Sequence, residues 1–185
     1  MIFLPTDYKV PSSSGNYMKF NPGENRFRIM SSPILGYEYW KEIDGKRKPI
    51  RVPMEAQISP DDLDPDDNKI KHFWAMVVFD HADSKIKILE ITQKSILRTI
   101  RGLSDDEDWG DPKGSRGYDI VVVRTGEGLE TRYEVNPKPK KKLTSGIQEM
   151  YDEMDINLKA LFKGEDPFAS EAERLADDAS EALGV

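Results

Sequence analysis

A hairpin turn at Asp44-Gly45 separates an aromatic, strand-forming segment from a basic one. Asp-Gly is favoured in two-residue hairpin turns because both central residues of such a turn adopt positive φ. Pro49, in the second segment, cannot donate a backbone hydrogen bond and is therefore confined to an edge strand. The sequence thus predicts a β-hairpin over residues 37–52 that lies at the edge of a sheet or projects from it.

Two more hairpins are predicted from the order of apolar and polar residues. Residues 73–79 are almost wholly apolar, and a turn joins them to residues 85–88, where lysine and isoleucine alternate. This pattern predicts a hairpin with one deeply buried strand. Residues 118–124 and 129–135 form a third pair of strands around a Gly-Glu-Gly turn.

A short helix and one further strand complete the predicted fold. Apolar residues recur at helical spacing over residues 96–103, and Gly102 is expected to end this helix. Residues 26–29 alternate, which places Arg26 and Arg28 on one face of a strand. This order of elements is that of an OB-fold. The chain is therefore predicted to be mostly β: a five-stranded barrel with a short helix between strands 3 and 4, plus a C-terminal helix and an acidic tail.

Charge is distributed unevenly along the chain. The net charge is −7, yet residues 1–142 carry 24 Lys and Arg against 23 Asp and Glu, whereas residues 143–185 carry 3 against 11. Ten of the acids in the first part lie in two clusters, residues 61–67 and 105–111. The body of the protein can therefore present a positive face to an anionic partner although the whole chain is acidic.

Composition excludes several kinds of site. The chain has no cysteine, which excludes disulfides, thiolate nucleophiles and cysteine zinc sites. Its two histidines, His72 and His81, have no second histidine at metal-ligand spacing. No run of ~18 apolar residues and no signal-peptide pattern is present. We expect a soluble cytoplasmic protein that is not an enzyme, uses no cofactor or metal and contacts no membrane.

The aromatic and basic hairpin is the strongest candidate for a functional site. Binding of a single strand requires cations that follow the phosphates and exposed rings on which bases stack, at ~1–3 kcal/mol per base. The hairpin and the strands beside it offer both. The candidate DNA-binding residues are Arg26, Arg28, Tyr37, Tyr39, Trp40, Lys41, Lys46, Arg47, Lys48, Arg51, Trp74 and Lys87. The sequence therefore predicts binding of single-stranded DNA without sequence preference.

Other interpretations of these residues stay open. The tyrosines suit the core of a barrel as well as a binding surface, and Trp74 lies on a strand too uniformly apolar to show which face it takes. The aspartates of residues 61–66 and 105–108 would bind Mg²⁺ in a nuclease, although they lie in loops rather than on rigid elements. A further alternative is a protein-interaction module that does not contact DNA.

Four regions follow from these predictions. Residues 1–22, which include prolines and a serine run, are expected to be a flexible N-terminal arm. Residues 23–142 form the predicted OB-fold DNA-binding domain. Residues 143–164 are expected to form a C-terminal helix, and residues 165–185 an acidic disordered tail.

Several segments resemble those of phage-type single-stranded-DNA-binding proteins. They follow one another over residues 17–139 and are Tyr17-Met18-Lys19-Phe20, Gly23-Glu24-Asn25-Arg26-Phe27-Arg28-Ile29-Met30, Lys85-Ile86-Lys87-Ile88-Leu89-Glu90-Ile91, Trp109-Gly110-Asp111-Pro112 and Tyr118-Asp119-Ile120. The resemblance implies an OB-fold, binding of single-stranded DNA during phage replication or recombination, and no catalysis. It implies a host-cytoplasmic protein whose acidic tail recruits replication or recombination proteins. Some phage relatives carry a structural zinc, which a chain without cysteine is not expected to hold.

The acidic tail carries the predicted partner contact. Bacterial single-strand binders end in an acidic, hydrophobic tip; Asp166, Pro167 and Phe168 are similar to it but lie inside the tail. With residues 1–142 near +1 and residues 143–185 near −8, the tail can also compete with DNA for a basic face. We expect deletion of residues 165–185 to tighten DNA binding, most at low salt. Whether the protein forms a homo-oligomer stays open.

Overall fold

The computed structural model describes residues 15–169 and 171–184. Within them eight strands form a single sheet, accompanied by three α-helices. The strands are β1 (Tyr17–Met18), β2 (Gly23–Ile29), β3 (Ile34–Ile43), β4 (Lys46–Pro53), β5 (Lys71–Asp80), β6 (Lys85–Ile91), β7 (Asp119–Thr125) and β8 (Arg132–Pro137). The helices are α1 (Lys94–Asp105), α2 (Ser145–Asp152) and α3 (Glu171–Leu183), with 3-10 helices at Pro60–Asp62, Gly128–Glu130 and Leu158–Lys163. No helix of this part of the chain is long and apolar enough to cross a membrane.

Five antiparallel strands form a continuous path in the order β6-β5-β2-β7-β8. Along the chain, α1 lies between the third and fourth strands of this path, β6 and β7. β1 pairs in parallel with β6, and the β3–β4 hairpin joins the path where β3 pairs with β5. In the described residues β8 pairs with β7 alone, so the sheet stays open at this edge.

The mostly β architecture predicted from the sequence is confirmed, but the pairings do not close into a five-stranded barrel. Two additions make the sheet larger than predicted. The β3–β4 hairpin lies outside the five-stranded path, and β1 comes from the segment expected to be a flexible arm. That segment is held because Met18 is buried and the Phe20 ring packs against Phe27 and Tyr133. Residues 1–14 of the predicted arm lie outside the described residues.

The β3–β4 hairpin turns at the predicted dipeptide. Asp44 and Gly45 have φ of 52° and 74°, the positive values that a two-residue turn of this kind requires. The first half of β3, up to Glu38, pairs with β5 on one side and with β4 on the other. From Tyr39 onward β3 pairs with β4 alone, so the end of the hairpin projects from the sheet as a two-stranded ribbon.

One face of the sheet packs against α1 and forms the main core. Ile96, Leu97 and Ile100 of α1 are buried there, as their helical spacing predicts. The sheet contributes Phe27, Ile29, Met76, Val78, Leu89, Ile91, Ile120 and Val122. Burying each such side chain contributes about 1.5–3 kcal/mol. The helix runs past Gly102 and ends at Asp105, because Leu103 also packs against this core.

A C-terminal strap, residues 143–168, covers the opposite face of β5. Leu143, Ile147 and Tyr151 pack near Val77 and Phe79. Farther along the strap, Leu161 and Phe162 pack against Phe73 and Ala75 at the other end of β5. Both faces of β5 are therefore buried, which explains why residues 73–79 are almost wholly apolar.

The strap differs from the single helix predicted over residues 143–164. Its apolar side chains contact two separate clusters along β5, and the chain forms α2 followed by a 3-10 helix rather than one continuous helix. Gly164 ends this segment with φ of 69°. The predicted disordered tail contains α3, whose sequence is rich in alanine, glutamate and leucine, residues that favour helices.

Candidate nucleic-acid interface

The projecting hairpin has two faces, and the predicted cations divide between them. Side chains alternate along a strand, and the register pairs Trp40 with Pro49 and Glu42 with Arg47. Trp40 and Arg47 therefore share one face. The opposite face carries the three predicted lysines, which are Lys41, Lys46 and Lys48. The aromatic and basic residues thus do not form the single surface that the sequence suggested.

An open groove of about 580 Å³ lies on the Trp40 face, between the hairpin and the chain that leads into β5. Its cationic side chains are Arg47, Lys69 and Lys71. Trp40 is 37% exposed, and the Cζ atom of Arg47 lies 5.7 Å from its ring centroid. A guanidinium at this distance is attracted to an aromatic face and restricts the motion of the ring. The groove therefore combines an accessible ring with three cations and with the carboxylates of Glu38, Asp66 and Asp67.

Lys69 and Lys71 were not among the candidates chosen from the sequence. Lys71 reaches the groove because β5 pairs with β3, which sets Lys71 opposite Glu38. That pairing joins residues 33 positions apart, and no local pattern reveals it. The alternation of Lys69, Ile70 and Lys71 where β5 begins is the one sequence signal that indicates an exposed basic edge.

An acidic loop closes one side of the groove. Asp66 and Asp67 line it, and the Asp67 carboxylate accepts a hydrogen bond from the Arg47 guanidinium. That bond, more than any other contact, lowers the pKa of the exposed Asp67 carboxyl. The Asp67 carboxylate therefore competes with an anionic ligand for the Arg47 guanidinium.

Replacing Asp67 with asparagine is expected to tighten oligo-dT binding about 3-fold, a small factor because a solvent-exposed ion pair contributes little. The substitution removes the carboxylate that competes for Arg47. Fluorescence anisotropy with labelled oligo-dT measures the change. Asp66→Asn is the matched control, because it removes the same charge from the same groove without touching Arg47. Equal tightening in both variants would show that only the overall charge of the loop matters.

Three of the predicted aromatic residues are partly or wholly withdrawn from solvent. Tyr39 is buried, and the half-buried Tyr37 packs on the His72 ring with 5.6 Å between centroids. Trp74 is half-buried against the main core, and its Nε1 donates a hydrogen bond to His72 Nε2 at 3.2 Å. Packing therefore accounts for all three rings, and Trp40 is the exposed ring among the four predicted aromatics.

Two of the predicted cations are buried in ion pairs. The Arg28 side chain is 2% exposed; its Nε donates to Asp119 at 2.8 Å. Lys87 donates to Asp80 at 2.9 Å and to Asp83. Burial alone would lower the pKa of Lys87, but the hydrogen bonds to Asp83 and Asp80 raise it. Both cations stabilise the fold, and we leave them out of the proposed DNA contact.

Arg51 is also engaged within the protein. Its Nε lies 3.1 Å from Glu38 Oε2 and 2.8 Å from Glu90 Oε2, and its side chain is 19% exposed. Burial, and next a hydrogen bond with Glu38, raise the pKa of Glu90 to about 8, against the opposing effect of Arg51. This cluster joins the hairpin strands β3 and β4 to β6.

Replacing Glu90 with glutamine is expected to stabilise the protein at alkaline pH. A carboxyl whose pKa is raised in the folded state contributes stability that is fully present below its ordinary pKa of 4.5. This stability is lost as the pH rises from there through about 8. Glutamine bears no charge, so urea unfolding near about pH 9 should show a gain on the order of 1 kcal/mol that vanishes near about pH 4. Glu55→Gln, at an exposed position, is the control. The same pH dependence in both variants would contradict the assignment.

The acidic clusters serve as turn caps and ion-pair partners. Asp62 lies 4.0 Å from Lys41, and Asp105 accepts a hydrogen bond from Arg101 at 2.7 Å. Asp106 Oδ1 accepts hydrogen bonds from the backbone N–H groups of Asp108 and Trp109. Over residues 15–169 and 171–184, no group of three or more His, Cys, Asp or Glu side chains is placed to hold a metal ion.

The predicted partner motif is docked on the body of the protein. Pro167 is buried, and its carbonyl oxygen accepts a hydrogen bond from the Asn157 N–H at 2.9 Å. The Phe168 ring meets Tyr17 edge to face, with 6.2 Å between centroids. A partner can bind this motif only after Phe168 separates from Tyr17. The contact with a partner therefore stays a prediction.

Comparison with known proteins gives one informative similarity. No protein-family model matches the chain. A curated relative from Escherichia phage T5, named "Probable ssDNA-binding protein", is 28% identical over 145 residues, which cover 64% of this chain and 53% of the relative. The chain thus spans about half the length of the curated relative it matches, and the similarity extends to a phage protein whose name states single-stranded-DNA binding.

Proposed function

We propose that the protein binds single-stranded DNA without sequence preference and without catalysis, in phage DNA replication or recombination. The observation that carries this proposal is the groove in which the exposed Trp40 ring, with Arg47 beside it, faces Lys69 and Lys71. A ring of this kind stacks on any base, and the cations contact phosphates, so neither requires a particular sequence.

The sheet topology supports an OB-like interpretation of the fold. The five-stranded path, taken along the chain as β2, β5, β6, β7 and β8, has its helix between the third and fourth strands. OB-folds bind oligonucleotides over strands 2 and 3 and with the loop that joins strands 1 and 2. In this chain the β3–β4 hairpin and the acidic loop occupy that connection. In this interpretation the groove around Trp40 corresponds to the part of an OB-fold that contacts nucleic acid.

The phage relative supports the same conclusion independently of the geometry. Its name describes a probable single-stranded-DNA-binding protein, and the similarity covers 64% of this chain. Replication, recombination and the recruitment of partner proteins by the tail stay part of the proposal. They follow from the resemblance and the charge of the tail rather than from the groove.

Each part of the groove has a distinct role in the proposal. Trp40 stacks on a base, while Arg47, Lys69 and Lys71 neutralise phosphates. Two of the three lysines of the opposite face, Lys46 and Lys48, are exposed and form no ion pair with any described residue. In the proposal they add to the positive potential around the hairpin and do not contact a base.

A salt titration tests the proposal. Three phosphate contacts predict that the logarithm of the affinity for oligo-dT falls with the logarithm of the salt concentration with a slope of about −2. Duplex DNA should bind more weakly, because its bases are not free to stack. Absence of any complex with oligo-dT at low salt would contradict DNA binding and favour the alternative, a protein-interaction module in a phage replication complex.

A further inference from the structure

A second cationic cavity lies at the opposite end of β5 from the Trp40 groove. It has a volume of about 390 Å³ and is formed by β2, by His81 just after β5, by the start of β7 and by the chain that leads into α2. Its charged lining residues are Arg26, Arg28, Asp119, Lys141 and Lys142. Arg26 and Arg28 were candidates from the sequence, but none of the contacts of the Trp40 groove uses this cavity.

The lining of the cavity has more positive than negative charge. Four side chains are permanent cations and one is a carboxylate, so the net charge is +3 without His81. The carboxylate of Asp119 is already saturated: Arg26 Nη2 lies at 2.7 Å, Arg28 Nε at 2.8 Å and His81 Nε2 at 3.1 Å. Burial alone would raise the pKa of Asp119, but the nearby His81 ring and the hydrogen bonds from Arg26 and Arg28 hold it well below its usual range.

The cations of the lining that reach solvent are Arg26, which keeps its bond to Asp119, and Lys141 and Lys142. The Arg26 side chain is 47% exposed. Lys141 and Lys142 are exposed and form no ion pair with the residues that the structure describes. Their positive charges thus face a cavity that contains one already neutralised carboxylate.

The backbone that carries the two lysines is fixed. The carbonyl oxygen of Lys141 accepts a hydrogen bond from Arg28 Nη2 at 2.8 Å. The Leu143 N–H donates to the Ser115 carbonyl oxygen at 3.1 Å, and the Leu143 side chain is buried against β5 and β6. Residues ordered before a ligand arrives lose less conformational entropy on binding. The backbone of Lys141 and Lys142 is therefore ordered at the rim of the cavity before a ligand arrives.

We propose that this cavity binds a phosphate group of the same DNA strand, a second contact that rests on the function proposed above. Guanidinium and ammonium groups around a concave surface match a phosphate, which offers several acceptor oxygens. β5 has ten residues, so at about 3.3 Å per residue the two sites lie about 30 Å apart. The strap covers the face of β5 between them. The strand is thus held at two separated sites rather than along one continuous groove.

The double substitution Lys141→Ala with Lys142→Ala tests this site, and Lys138→Ala with Lys140→Ala is the matched control. The control removes two lysines from the same segment, outside the cavity lining. Affinities are measured with short oligo-dT of about 5 nucleotides, which fits one site, and with long oligo-dT of about 30 nucleotides. We expect the first variant to bind the long strand about 10-fold more weakly, with a salt slope reduced by about 1, and the short strand unchanged.

A second measurement does not depend on DNA. Inorganic phosphate should raise the melting temperature of the wild-type protein by about 2 °C and leave the Lys141→Ala, Lys142→Ala variant unshifted. Equal effects in both double variants, or a long-strand affinity that does not change, would overturn the second site. If the wild-type protein bound neither oligonucleotide, the proposed function would fail, and the phosphate measurement would then decide by itself whether the cavity binds this anion.

Discussion

Replacing Trp40 and Arg47 together with alanine is expected to weaken oligo-dT binding about 100-fold. Loss of one base stack removes about 1–3 kcal/mol, and loss of the guanidinium removes a phosphate contact. A total of about 2.7 kcal/mol corresponds to a factor of about 100 in the dissociation constant. Equilibrium titration by fluorescence anisotropy measures this change.

The fold should tolerate this double substitution. Trp40 is 37% exposed and Arg47 lies on the projecting ribbon, so the melting temperature is expected to stay close to that of the wild type. Arg98→Ala, at an exposed position of α1, serves as the control for the loss of one positive charge. Lys46→Ala with Lys48→Ala separates the two faces of the hairpin, since it should weaken binding only a few-fold, mostly at low salt. Equal losses in the two hairpin variants would show that the Trp40 face is not the binding face.

Removing residues 170–185 is expected to tighten oligo-dT binding about 10-fold at low salt. This segment carries five acidic residues and one arginine, and its charge competes with DNA for the basic surfaces. The cut falls after Ala169 because the strap residues before it pack on β5 and on Tyr17. A cut at Glu165 would also remove Pro167 and Phe168 and disturb those contacts.

The salt dependence distinguishes charge competition from other effects of the truncation. Competition between exposed charges is screened over about 10 Å at about 0.1 M salt, so the gain should shrink as salt is added. A full-length variant with the five acids changed to their amides should bind as tightly as the truncated protein. Binding that is unchanged or weaker in both proteins would rule out competition by the tail.

Features of the fold that depend on neighbouring residues were predictable from the sequence. Asp44-Gly45 identified the hairpin, because its two positions adopt the positive φ that the turn requires. The spacing of Ile96, Leu97 and Ile100 identified α1, because those side chains enter the core together. Turn chemistry and periodicity act over a few residues, and the sequence shows them directly.

Features that depend on distant residues could not be predicted in this way. Arg28 and Lys87 are basic residues on alternating strands, and their burial becomes clear only with Asp119 and Asp80 beside them. Asp119 lies 91 positions from Arg28. The sequence left open which face of its strand Trp74 takes, because it did not show that the strap covers the second face of β5. By contrast, the Asp44-Gly45 turn fixes the register of the hairpin, so the division of its cations between two faces could have been predicted from the sequence.

The proposed function depends above all on the stacking of a DNA base on Trp40. A protein in which Trp40 is the single tryptophan tests this contact most directly. Trp74 and Trp109, the other two tryptophans, are changed to phenylalanine, and oligo-dT is added at low salt while fluorescence intensity and anisotropy are recorded together. We expect the Trp40 emission to be quenched, and the quenching to saturate at the same DNA concentration as the anisotropy of the labelled strand. Binding detected by anisotropy without any change in the Trp40 emission would contradict it.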